Sequence, residues 1–159
     1  MELKEHIKSI WLYNQWANEK LFNTIPVEVA DIEINSSFNS IRKTVYHLWD
    51  AETVWLERLM DKTLTAWPPS ANYTGTFEES FAKIKEQENT YIQFIDESDL
   101  SHRISYKNLK GDEFSNSYFE ILAHVANHST FHRGQLVTML RQAGVTQIPP
   151  TDLIAYYRK

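Results

Sequence analysis

Apolar residues recur every three to four positions in four long segments of the chain, which is the spacing of helices with one buried face. The pattern predicts helices over residues 3–24, 40–60, 76–98 and 117–144. The fourth segment shows the stripe well, with its apolar side formed by Tyr118, Ile121, Leu122, Val125, Leu136, Met139 and Leu140.

The ends of these segments carry residues typical of helix boundaries. Thr76 with Glu79, and Ser117 with Glu120, have the spacing of a capping box, in which each side chain bonds the other residue's backbone N–H. Gly144 is typical of the position that follows a helix. The third and fourth helices are therefore expected to begin after Thr76 and Ser117.

The connection before the fourth helix differs from the rest of the chain. Residues 103–115 alternate around Lys110, Gly111 and Asp112, which indicates a short hairpin or an irregular connection. The tail over residues 145–157 is expected to be a short ordered wrap. We predict an all-α fold, a four-helix bundle with a long crossover or hairpin before the last helix, in a single domain over residues 1–159.

Composition excludes several classes of function. The 159 residues include no cysteine, so disulfides and thiolate-bound zinc are excluded. The formal charge is −5 and no cluster of Lys and Arg stands out, so nucleic-acid binding is not expected. No apolar run is long enough to cross a membrane, and the N-terminus lacks the apolar region of a signal peptide. A cytoplasmic protein is expected.

Three of the six histidines lie four residues apart in the fourth predicted helix: His124, His128 and His132. Histidines at this spacing share one helix face, so two imidazoles can bind one metal ion. At about 100° per residue, His132 and His128 point most nearly into the bundle, whereas His124 lies toward its flank. The alternative is that these are hydrogen-bonded core histidines. No Glu follows the first histidine of either pair, which excludes the HExxH metalloprotease motif.

A third protein ligand would have to come from another helix. His47 is the histidine well inside the second helix, where it lies beside Ala51 and Val54 and off the main apolar stripe. Because a bundle helix contacts two neighbours, this flank could still be buried. The alternative for His47 is a surface histidine.

Several polar residues fall where a bundle should be apolar. Asn14 and Asn18 lie in the stripe of the first helix, and Glu52 in that of the second. They could form an internal hydrogen-bond network, or orient metal ligands and substrate, and Glu52 is also a candidate base or further ligand. Arg133 could bind an anionic thiol or carboxylate, or form a surface ion pair.

The five tryptophans are assigned to the core or to an interface, and none to the site: Trp11, Trp16, Trp49, Trp55 and Trp67.

These residues resemble the DinB-like family, also described as DinB/YfiT-like metalloenzymes. The resemblance runs through YNQWANEKLF, HLWDAETVWLERL and the closing PPTDLIAYY, and its most specific part is the HxxxHRGQ pattern of the fourth helix. It implies an up-down-down-up bundle, frequently a homodimer, with a metal ion bound by His47, His128 and His132. Relatives include thiol S-transferases that use bacillithiol or mycothiol, and members without an assigned reaction.

The expected function is therefore that of a divalent-metal-dependent enzyme, a thiol S-transferase or a hydrolase, acting on a small molecule that could be a low-molecular-weight thiol. Zinc and nickel are the favoured ions, and iron, cobalt and manganese also suit the ligands. One alternative is a non-catalytic metal-binding protein of stress response or interaction. Another is an apolar bundle that dimerises through exposed aromatic residues and binds no metal. The residues that would carry out catalysis are not assigned.

Overall fold

Four long helices account for most of the computed structural model, which describes residues 2–62, 68–108 and 110–158. The elements in chain order are α1 (Leu3–Phe22), α2 (Ile41–Leu59), α3 (Phe77–Glu97), β1 (Arg103–Lys107), β2 (Glu113–Ser117), α4 (Tyr118–Gln142) and a short α5 (Leu153–Tyr157). Single 3-10 turns lie at Val27–Val29 and Pro69–Asn72. The four predicted helices are confirmed, with ends within a few residues of those expected.

Both predicted capping boxes are present. The Glu79 carboxylate accepts a hydrogen bond from the Thr76 N–H (2.7 Å), and the Thr76 hydroxyl accepts one from the Glu79 N–H (3.2 Å). Ser117 and Glu120 make the same pair of bonds at the start of α4, at 2.8 and 3.2 Å. These bonds satisfy backbone donors that have no partner within the helix, and so fix where α3 and α4 begin.

The segment before α4 is a hairpin, so the expectation of an all-α fold needs a correction. Strands β1 and β2 pair antiparallel, with Ser105 opposite Ser115 and Tyr106 opposite Phe114. Gly111 in the turn has φ of 90°, a conformation that favours glycine. Of the tryptophans, Trp11 and Trp49 are buried, Trp16 and Trp55 are half-buried, and Trp67 lies outside the described residues.

The apolar core forms two clusters within the bundle. Helix α1 packs on α3 and α4, and α2 packs on the same two helices. One cluster joins the C-terminal halves of α1 and α4 to the N-terminal halves of α2 and α3, through Leu21, Phe22, Ile41, Val45, Leu48, Phe77, Ile84, Leu136 and Leu140. The other joins the opposite halves, through Ile7, Trp11, Leu59, Tyr91, Ile95, Ile121, Leu122 and Val125.

Between the two clusters lies a set of polar side chains, here called the polar layer, which are all buried except the half-buried Gln87: Asn14, Asn18, Glu52, Gln87, Glu88, Ser129 and Arg133. The amides of Asn14 and Asn18 donate to the Glu88 carboxylate, at 3.2 and 2.7 Å. Arg133 donates one guanidinium nitrogen to both asparagine carbonyls, at 2.9 Å for Asn18. This part of the layer therefore joins α1, α3 and α4.

The second part of the layer is centred on Glu52 of α2. Its carboxylate accepts hydrogen bonds from Ser129 (3.1 Å) and Gln87 (3.4 Å). Its backbone carbonyl accepts one from Tyr91 (2.6 Å). Because Glu52 is 0% exposed, these donors replace water and join α2 to α3 and α4.

Among the described residues, no helix combines the length and apolarity needed to cross a lipid bilayer.

The clusters predict that the same substitution, Leu to Ala, lowers the free energy of unfolding by very different amounts at two positions. Leu122 is 0% exposed within the second cluster, and Leu12 on the outer face of α1 is 37% exposed. We expect Leu122→Ala to lower the free energy of unfolding by about 3 kcal/mol, because it leaves a cavity. Leu12→Ala, with the same change in helix propensity, should cost less than about 1 kcal/mol. Urea denaturation measures both, and equal losses would contradict the assignment of the core.

The polar layer predicts a pH-dependent stability. Burial raises the pKa of Glu88 well above its usual range, and the neighbouring Glu52 raises it further. The folded protein therefore keeps a proton that the unfolded chain releases above about pH 4.5, so the free energy of unfolding falls as pH rises. Glu88→Gln imitates the protonated carboxyl, and its stability relative to wild type should increase from pH 5 to pH 8.

The matched control is Glu86→Gln, which alters an exposed carboxylate on the same helix. Its stability relative to wild type should stay nearly constant over this pH range when both are measured by urea denaturation. If the Glu88→Gln difference were equally constant, Glu88 would be ionised in the folded protein.

Candidate metal centre

Three imidazole rings from two helices meet at one flank of the bundle. His47 comes from α2, and His128 and His132 come one turn apart from α4. The Nε2 atom of His128 lies 3.1 Å from Nε2 of His47 and 3.0 Å from Nε2 of His132. One ring nitrogen from each residue lies within 4.8 Å of the others, and we call the three residues the histidine triad.

The distances between these nitrogens suit a shared cation. Two nitrogens, each 2.0–2.1 Å from one zinc ion at the tetrahedral angle, would lie about 3.3 Å apart. The Nε2 atom of His128 faces two other ring nitrogens, and a single N–H can donate well to only one of them. A divalent cation would instead accept a lone pair from all three. The donor set therefore fits a metal ion.

Gln135 sets the orientation of one ligand. Its side-chain carbonyl accepts a hydrogen bond of 2.7 Å from Nδ1 of His132. With the proton on Nδ1, the lone pair of His132 lies on Nε2 and faces the other two rings. Outer hydrogen bonds of this kind fix the tautomer and ring angle of metal-binding histidines.

Burial keeps the triad neutral. It lowers the pKa of His47 to about 4, with a smaller contribution from the charge of His132. It likewise lowers the pKa of His128 to about 4, with smaller contributions from His132, His47 and His124. The pKa of His132 is also lowered by burial, although its bond to Gln135 opposes the shift. Neutral imidazoles at neutral pH have the lone pairs that metal binding requires.

Aromatic side chains form the walls of the triad. Phe38, in the connection between α1 and α2, stacks on His47 with ring centroids 4.1 Å apart. The ring of Phe131 lies 5.1 Å from that of His132 and is 63% exposed. His132 is buried, whereas His47 and His128 are half-buried, so the triad lies near the surface.

His124 does not join the triad, which agrees with the angle calculated from the sequence. Its ring centroid lies 6.1 Å from that of His128 and 5.2 Å from that of Trp55. The group of histidines and carboxylates close enough to hold an ion, within the described residues, comprises His47, His128 and His132. Glu52, the other candidate ligand, is not in it.

The remaining predicted site residues lie in the polar layer. Asn18 and Glu52 are almost fully buried, and their hydrogen bonds described above run to Glu88, Arg133, Ser129 and Gln87. Arg133 is 2% exposed, so the alternative of a surface ion pair does not fit its position. Its second guanidinium nitrogen donates to Thr130 (2.8 Å).

Sequence reasoning missed two residues that touch the triad. Gln135 follows His132 by three positions on one helix face, and that spacing could have indicated it as an outer partner. Phe38 lies outside the four helical segments, where no periodicity constrains its position. Sequence reasoning also missed Glu88, although this residue lies on the apolar stripe of α3 between Ile84 and Tyr91.

Comparison with known proteins identifies the family of the chain. The sequence profile of the DinB family matches residues 2–158. The chain is 31% identical over 160 residues to Protein DinB of Bacillus subtilis strain 168, covering 92% of this chain and 91% of that protein. It is 23% identical over 145 residues to the uncharacterized protein YrdA of the same organism, covering 89% of this chain and 84% of YrdA.

Two solved structures share the fold. A DinB-like protein from Bacillus cereus ATCC 10987 aligns with a TM-score of 0.69 at 21% identity, covering 92% of this chain and 95% of the other. The DinB-like protein YjoA from Bacillus subtilis aligns with a TM-score of 0.69 at 16% identity, covering 92% and 98%. Since the family profile spans nearly the whole chain and Protein DinB is more than 30% identical over nearly its full length, this chain belongs to the DinB family.

Proposed function

We propose that this chain binds one divalent metal ion through His47, His128 and His132 and acts as a metal-dependent enzyme on a small molecule. The observation that supports this most directly is the convergence of three Nε2 atoms from two helices, at 3.0–3.1 Å around His128. The tautomer set by Gln135 and the neutral rings give further support, because both leave lone pairs directed at one point.

The reaction proposed is transfer of a thiol to an electrophile, and hydrolysis is the second candidate. When bound, the ion would lower the pKa of a coordinated thiol or water, and so supply a nucleophile near neutral pH. In thiol transfer, sulfur loses its proton to solvent, forms a bond to the electrophilic carbon, and the leaving group departs with its electron pair. Three protein ligands support a catalytic role, since they leave a coordination position open.

Zinc and nickel are the ions proposed, and iron, cobalt and manganese are compatible with imidazole ligands. The substrate proposed is a small molecule, with a low-molecular-weight thiol as the nucleophile.

We also propose a cytoplasmic homodimer that binds neither nucleic acid nor membrane, and an up-down-down-up order of the helices. The helix order is supported by the two core clusters, which place the C-terminal halves of α1 and α4 beside the N-terminal halves of α2 and α3.

The alternative function is that of a metal-binding protein without catalysis, active in stress response or interaction. It would need the ion to be closed off from small molecules. The half-buried positions of His47 and His128 favour the enzyme instead, because both residues keep some exposure to solvent.

The metal proposal predicts different results for two histidines of one helix. Loss of a direct ligand should cost more than the 10- to 100-fold typical of an outer partner, so His128→Ala should weaken zinc binding more than about 100-fold. His124→Ala removes the exposed histidine one turn earlier and should keep stoichiometric metal. Elemental analysis of tag-free protein measures the metal content of each variant, and zinc titration against a chelator measures its affinity for zinc. Stoichiometric zinc in His128→Ala would contradict the proposed site.

The enzyme proposal predicts thiol-dependent turnover. Zinc- and nickel-loaded protein should accelerate the reaction of low-molecular-weight thiols with 1-chloro-2,4-dinitrobenzene and related electrophiles, followed by absorbance of the thioether. Metal-free protein and His128→Ala should give the uncatalysed rate, because both lack the ion that activates the thiol. The loaded protein is also tested with substrates for hydrolysis. If it gave only the uncatalysed rate with every thiol and every such substrate, the protein would be a metal-binding protein without catalysis.

A further inference from the structure

A small cavity lies beside the histidine triad, between α2, α4 and the hairpin. Its volume is about 250 Å³, and its lining consists of Trp55, Tyr106, Asn116, Glu120, Ile121 and His124. We call it the aromatic cavity. The proposed reaction does not involve these residues, and Trp55 is among the tryptophans assigned from the sequence to the core or to an interface.

A row of ring contacts connects the aromatic cavity to the triad. The ring centroids of His128 and His124 are 6.1 Å apart. The ring centroid of Trp55 lies 5.2 Å from that of His124 and 5.2 Å from that of Tyr106. His124 precedes His128 by one helical turn, a rise of about 6 Å. The cavity wall formed by His124 is therefore within reach of the next few atoms of a molecule whose reacting atom lies at the triad.

Three polar side chains of the lining, Tyr106, Asn116 and Glu120, are already hydrogen-bonded. The Tyr106 hydroxyl donates to the Asn116 carbonyl (2.8 Å), and the Asn116 amide donates to Glu120 (3.1 Å). Glu120 also accepts the capping bond from the Ser117 N–H. What the cavity offers a ligand is therefore the faces and edges of aromatic rings together with Ile121, rather than unpaired charge.

Arg58 holds two of these rings in place. Its guanidinium lies over the ring of Trp55 at 4.6 Å and over that of Tyr106 at 4.9 Å. It also donates a hydrogen bond of 3.2 Å to the backbone carbonyl of Lys107 on β1. The walls contributed by α2 and the hairpin are thus fixed before any ligand enters, which lowers the entropic cost of binding.

The size of the aromatic cavity limits what it can hold. The cavity is open to solvent on one side, and its volume is large enough for one planar ring or a short apolar chain. We propose that the aromatic cavity binds a neutral, planar, apolar group of the substrate while the substrate's reacting atom lies at the histidine triad. This inference rests on the proposed function, to which it adds the class of substrate.

The first experiment uses metal-free protein and does not depend on the proposed chemistry. Titration with 2-phenylethanol should shift the indole N–H signal of Trp55 in a saturable way, whereas ethanol should not. The Trp55 signal is assigned with Trp55→Phe, and the indole of Trp16 on α1 should stay unchanged. Absence of a saturable shift at Trp55 would overturn the proposal, whatever the protein does with metals.

The second experiment uses cobalt-loaded protein, whose visible spectrum reports a thiol at the ion. We expect 2-phenylethanethiol to bind about tenfold more tightly than ethanethiol, because its ring is removed from water in the cavity. Tyr106→Ala should remove this difference and leave the affinity for ethanethiol unchanged. Tyr157→Ala, which removes an exposed ring on α5 that does not line the cavity, should keep the difference.

The outcomes separate the two proposals. If the ring shifts Trp55 but neither thiol alters the cobalt spectrum, the cavity is supported and thiol binding at the ion is wrong. If both thiols alter the spectrum with equal affinity, the ion site is supported and the cavity is overturned. Thermal melts of Tyr106→Ala establish that this variant is folded. Trp55→Phe provides a second variant of the cavity wall.

Discussion

The burial of two carboxyl groups and one guanidinium in the middle of the bundle is the constraint on which the rest of the structure depends. A buried charged or polar group without partners is more costly than a lost apolar contact, so the donors and acceptors around Glu52, Glu88 and Arg133 must stay in place. Those partners come from all four long helices. The two apolar clusters could tolerate small sliding of one helix past another, whereas the hydrogen bonds between them tolerate little. The polar layer therefore determines the helix register.

This register also determines the geometry of the histidine triad. Ser129, which donates to Glu52, directly follows His128, and Arg133 directly follows His132. The rotation of α4 about its axis that allows Ser129 and Arg133 to make their hydrogen bonds therefore also directs both histidines toward α2. On α2, Glu52 lies between His47 and Trp55, so the same bond positions the third histidine and one wall of the aromatic cavity. A substitution in the layer would thus disturb the triad without touching it.

Local patterns predicted much of this fold, because helix periods, capping boxes and i, i+4 histidines are all determined within a few residues. The polar residues of the layer were visible as interruptions of the stripes, but their partners were not. Asn18 and Glu88 are 70 positions apart in sequence, and their bond depends on how α1 and α3 pack. Phe38 illustrates the same limit, since it reaches His47 through a connection without periodicity. His47 itself was placed off the apolar stripe of its helix, and only the packing of α2 on α4 brings it to the other two.

The hairpin has a consequence for how proteins of this kind diverge. It supplies Tyr106 and Asn116 to the aromatic cavity but none of the polar layer or the triad. Lengthening a surface loop costs little stability, about 0.6 kcal/mol for each doubling. Mutations could therefore remodel one side of the aromatic cavity while the bundle and its histidines stay intact. Under the proposal that this cavity binds part of the substrate, descendants of a common ancestor could acquire new molecular preferences through a few hairpin residues, and sequence drift in this segment would track ligand choice more closely than drift in the helices.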